Sequence, residues 1–157
     1  MKTADLYSLQ ALRQLREQRA SSRLAAQQER CRETRSELDQ ARDALQAHRD
    51  KLAREAEDVF GRFSEGLSVS AWRAAQEELQ RLESEGEQLQ AQTDTAGRNV
   101  ENEEQLRQRL RQEHLSHQQK TAAWGTLVER RVRHDARIGE QRDEADALPA
   151  TGPGGPE

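Results

Sequence analysis

Proline is missing from the first 148 residues of this 157-residue chain; Pro149, Pro153 and Pro156 all fall in the last nine. A proline inside a helix costs about 3 kcal/mol, so its absence leaves very long helices unopposed. Cysteine is almost as scarce. The lone Cys31 excludes an internal disulfide framework and fits a reducing compartment. Aromatic residues make up 3% and hydrophobic residues 32% of the chain, against roughly 45–50% in an ordinary globular domain. A thick core is thereby excluded, and a thin apolar seam is not. No stretch approaches the roughly 20 apolar residues of a membrane span, and the opening run Met1 to Tyr7 lacks the apolar centre of a signal peptide. The expectation is a cytoplasmic protein without direct membrane insertion.

What the chain has in abundance is charge of both signs: 34% of residues, with a formal net charge of only -4. The cations are nearly all arginine, Lys2, Lys51 and Lys120 being the only lysines, and they alternate with acids. A nucleic-acid surface would segregate positive charge and add stacking aromatics, so no nucleic-acid partner is expected. Disorder is the competing reading for so polar a chain, but the apolar residues recur with helical period over residues 5–147.

The pattern breaks once, in the run Gly61-Arg-Phe-Ser-Glu-Gly-Leu-Ser-Val-Ser70. This predicts helices over about 5–60 and 70–147, a turn over about 61–69, and a flexible Pro/Gly tail over 149–157. Ser70, or Ser68, is the candidate N-cap of the second helix. At 1.5 Å per residue the helices would measure roughly 84 and 117 Å. So short a connection makes them antiparallel neighbours. The predicted fold class is all-α, a long antiparallel two-helix coiled-coil hairpin with unequal helices forming a single domain over 1–148.

Heptad spacing supports the pairing. Leu24, Cys31, Leu38, Leu45, Leu52 and Val59 fall seven apart, as do Trp72, Leu79, Gly86, Thr93 and Val100, beside Ala75, Leu82, Leu89 and Ala96. A turn centred between Glu65 and Gly66 makes facing residue numbers sum to about 131, setting Leu45 against Gly86 and Cys31 against Val100. Two departures stand out. Leu6, Leu9, Leu12 and Leu15 step by three, and at about 100° per residue they sweep about half the circumference, more than one partner helix can cover. The facing end of the second helix carries Trp124, Leu127, Val128, Val132 and Ile138, so apolar surface at this end invites a third body, or else self-association. Polar residues also enter the seam at Thr93, Glu103, Arg107, His114 and His117, with glycines at 86, 97, 125 and 139.

Chemistry is sparse. His114 and His117 share a face near Glu113, but no further ligand completes a metal site, and no His-Glu-x-x-His run occurs. Cys31 has no evident base, and the terminal Thr-Gly-Pro-Gly-Gly-Pro-Glu is not a strand-to-helix phosphate loop. No catalytic residue, metal or cofactor is expected, and the chain is read as a non-enzyme. Arg130, Arg131, Arg133 and Arg137 near Trp124 form the best charged patch, suited either to an acidic partner or to the C-terminal helix dipole.

Leu6 to Ala20, and Lys120 to Ala147 with Lys120, Trp124, Leu127, Glu129, Arg130, Glu140, Gln141, Asp143 and Glu144, resemble the opening and closing helices of the FliJ/YscO family. These are central-stalk proteins of flagellar and injectisome type III secretion systems. The Pro/Gly tail and the scarcity of aromatics along the shaft depart from the family pattern. The resemblance implies a non-enzymatic stalk whose terminal end enters the secretion ATPase hexamer, while its shaft or tip engages the cytoplasmic domain of the export gate and export chaperones. Carried onto this chain, it implies ATPase-binding residues Leu6, Leu9, Leu12, Leu15, Trp124, Leu127, Arg130, Arg131 and Arg133, and gate-binding residues Val59, Phe60, Phe63 and Trp72. A self-associating coiled-coil scaffold and an export chaperone or adaptor are the other readings the sequence allows.

Overall fold

The computed structural model describes residues 2–149, and the rest of the proposed tail lies outside them. Two helices account for almost all of this span: α1, Thr3–Glu65, and α2, Val69–Ala147. They run antiparallel as a hairpin. No strand occurs among the described residues, and no helix there is long and apolar enough to cross a membrane.

Helix α1 opens with a reciprocal cap. The Lys2 carbonyl accepts from the Asp5 and Leu6 amides at 3.0 and 3.3 Å, while the Asp5 carboxylate accepts from the Lys2 amide at 3.1 Å. It then continues five residues past the expected end, straight through Gly61. It stops at Gly66, the one described residue with a left-handed backbone, φ 93°, whose amide donates to the Phe63 carbonyl at 3.2 Å. A Cβ would be strained there, which is why glycine ends the helix. Ser68 then caps α2: its Oγ accepts from the Ala71 amide at 3.2 Å. Ser70, the first-named candidate, lies inside the helix.

The turn is thus only residues 66–68, centred on 67, and this resets the pairing. Cys31 Sγ donates to the Glu103 carbonyl, Thr93 Oγ1 to that of Ala41, His48 abuts Gly86, and Thr121 Oγ1 donates to the Arg13 carbonyl. Each pair of numbers sums to 134, twice the turn centre, rather than 131. The expected neighbours Leu45–Gly86 and Cys31–Val100 are therefore displaced by about one helical turn.

The residues pack as two compact units. The turn unit, Leu24 to Arg109, buries Cys31, Leu45, Val59 and Leu82, the last completely. It also buries polar Gln27, Thr34 and Thr93. Gln27 and Thr34 belong to a second heptad series on α1, Gln27, Thr34, Ala41 and His48, which apolar periodicity passes over. Each polar member is bonded. Gln27 donates to the Glu103 carboxylate and carbonyl, Thr34 to the Arg30 and Cys31 carbonyls at 3.1 Å, and His48 Nε2 to the Leu82 carbonyl at 2.6 Å. Such bonds offset the cost of burying polar groups, and those of Gln27 and His48, which cross to α2, tie the helices to one register.

The terminal unit contains α1 up to Arg23 and α2 from Leu110. Ala20 and Val128 are buried, with Leu6, Trp124 and Ile138 half-buried around them. Thr3 Oγ1 donates to the Asp135 carboxylate at 2.9 Å, joining α1 to α2 within this unit.

Candidate protein-docking surfaces

In the terminal unit the inward positions of α1 are Thr3, Leu6, Gln10, Arg13, Glu17 and Ala20. Four of the six are polar, and the leucine ladder peels away from them step by step. Leu6 and Leu9 are half-buried, whereas Leu12 and Leu15 remain 42% and 43% exposed. On α2, Leu127 is half-exposed and Trp124 is tucked against the seam. The three-residue step thus leaves apolar side chains that α2 does not cover.

The three arginines assigned to this end differ in setting. Arg131 is paired with Asp135 at 3.3 Å, four residues on in the same helix. Arg133 lines an open groove of about 330 Å³ with Tyr7, Gln10, Val128 and Val132. Arg130 is exposed, with no carboxylate within ion-pair distance among the described residues.

The turn unit holds the other candidate set. Val59 is buried and forms the floor of an apolar pocket of about 140 Å³, walled by Ala56, Phe60, Phe63, Trp72 and Leu79. Phe63 and Trp72 pack ring to ring at 5.3 Å and 49°, a tilted aromatic contact. Phe60 and Phe63 are 75% and 60% exposed. Three of the four residues assigned to the tip thus present surface, and Val59 supports them from beneath.

Cys31 is buried. Burial and the nearby Glu104 carboxylate push its thiol above the usual range, which keeps it protonated and a poor nucleophile near neutral pH. Among the described residues no three His, Cys, Asp or Glu side chains are grouped to hold a metal.

No protein-family profile matches the sequence, and no curated protein matches it. In structure the chain is similar to the Type III Secretion Protein YscO from Vibrio parahaemolyticus, with a TM-score of 0.82 at 17% identity over 92% of this chain and 91% of that one. The two proteins share a fold. The hairpin that the terminal segments and the turn implied is the one observed.

Proposed function

We propose that this chain is a non-enzymatic stalk protein of a type III secretion apparatus, acting in the cytoplasm. The end holding both termini enters the secretion ATPase hexamer, and the turn end engages the export gate. The observation that carries this reading is the uncovered apolar surface of the terminal unit, Leu12, Leu15 and Leu127, on a hairpin that shares its fold with a type III secretion protein. Surplus apolar surface on a two-helix unit is stabilised by a third body. A second surface at Phe60 and Phe63 gives a separate attachment point, as a coupling element between two partners requires.

The mechanism follows from mismatched symmetry. A hairpin has no rotational symmetry to match a ring, so the ring's subunits meet different side chains. Each contact favours the subunit conformation it fits best, which biases the order of nucleotide turnover. The test adds purified chain to its cognate secretion ATPase and follows ATP hydrolysis and hexamer formation. Intact chain raises both, Leu12→Asp with Leu15→Asp abolishes the rise, and Phe60→Asp preserves it. An ATPase indifferent to the intact chain overturns the reading.

A further inference from the structure

In an antiparallel heptad pair, residues one place before the inward positions fall on one flank, and residues one place after them on the other. Equivalent flanks of the two helices share a side. The grooves of the terminal unit confirm the assignment: Tyr7 lines one with Gly125 and Val132, and Gln14 and Gln18 line another with Gln118. All six follow inward positions. That flank exposes Tyr7, Leu115 and Val132 among Gln, Ala, Gly and Ser residues and is mostly uncharged.

The opposite flank is built differently. It carries Leu9, Leu12 and Leu127 among six exposed cations, Arg16, Arg19, Arg23, Lys120, Arg130 and Arg137. Lys2 adds a seventh at one end, and Asp5, Glu113 and, seven residues past Arg137, Glu144 are its acids among the described residues. None of the six cations has a carboxylate within 4.0 Å among the described residues, although arginines of the turn unit, such as Arg35 and Arg81, are paired. On a chain with a formal net charge of -4, this is a local reversal of sign.

We infer that this one flank of the terminal unit is the docking face, and that its partner surface is a protein patch with an apolar centre bordered by carboxylates. The inference rests on the stalk reading, and the surface it meets is the opening of the secretion ATPase ring. Apolar side chains inside a charged border match the anatomy of a protein interface. Arginine, five of the six cations, fits carboxylates bidentately. A nucleic-acid backbone offers no apolar counterpart for the leucines. A lipid surface calls for deeper apolar insertion than the half-buried Leu9 and the 42% exposed Leu12 supply. A one-sided face also restricts strong contact to part of the ring at a time.

The experiment compares two triple variants that each lower net charge by three. One is Arg16→Gln, Arg19→Gln and Lys120→Gln on the basic flank; the other is Gln14→Glu, Gln18→Glu and Gln118→Glu on the opposite one. Circular dichroism checks their helicity, and affinity for the cognate ATPase is measured by calorimetry at low and moderate salt. The basic-flank variant should lose about tenfold or more in affinity and most of its salt dependence, and the other should stay within about twofold of the intact chain. Equal losses from both flanks, or binding indifferent to salt, overturn the one-sided face while leaving the stalk reading intact. No ATPase binding by the intact chain overturns both. Binding to phosphatidylserine vesicles that is lost in the basic-flank variant, with ATPase affinity unchanged, assigns the flank to lipid and also overturns the inference.

Discussion

Replacing Gly86 by alanine sets two effects of similar size against each other. In an exposed helix interior this change stabilises by about 1 kcal/mol, because glycine loses more backbone freedom on folding. At Gly86, however, the new methyl would meet His48 Cδ2 at 3.3 Å and Nε2 at 3.4 Å. The ring cannot simply retreat, since its Nε2 donates to the Leu82 carbonyl at 2.6 Å across the seam. Losing that bond costs about 1 kcal/mol, and tilting the ring off its rotamer about 0.5–1.5 kcal/mol. Gly86→Ala should therefore gain nothing or lose up to about 1 kcal/mol. Gly97→Ala, in the same unit with open space around its Cβ position, should gain about 1 kcal/mol. Urea denaturation followed by far-UV circular dichroism reads both, with unchanged m-values. In a His48→Ala background the Gly86→Ala gain should reappear, giving a coupling of about 1–2 kcal/mol. A Gly86→Ala gain equal to that of Gly97→Ala with His48 present would refute the clamp.

Ser68→Ala should cost about 1 kcal/mol through loss of the α2 cap, whereas Ser70→Ala should be close to neutral; the same denaturation assay separates them. Cys31 should resist iodoacetamide in the native protein near neutral pH and react only as fast as the hairpin opens, so added urea should accelerate labelling. Because burial raises its folded pKa above that of a free thiol, the contribution of Cys31 to stability should be flat below the free-thiol pKa and fall above it, where the unfolded thiol ionises and the buried one does not. Cys31→Ser should flatten that alkaline fall.

The two helices and their single reversal were legible because proline and glycine act locally. One is absent for 148 residues, and Gly66 with the serines around it is the one internal cluster of turn residues. The register was less legible, since it depends on whether Gly61 interrupts α1. Gly61 stays helical, with open space around it, and that moves the turn centre by one and a half residues and every facing pair by three. The second seam series on α1 was hidden for a different reason. Gln27, Thr34 and His48 are inward by position and polar by chemistry, so hydrophobic periodicity passes over them, and only their partners on α2 or on preceding turns of α1 account for their burial. At the terminal end, the excess of leucine followed from a three-residue step. The segregation of Arg16, Arg19 and Lys120 onto one side did not, because a flank has meaning only once the inward positions are known.

The central claim, that the end bearing both termini is the one that meets the secretion ATPase, is tested most directly by site-specific photocrosslinking with the assembled hexamer. A photoreactive residue at position 12 should give an adduct with the ATPase, and one at position 60 should not. An adduct formed from position 60 and absent from position 12 would contradict the account.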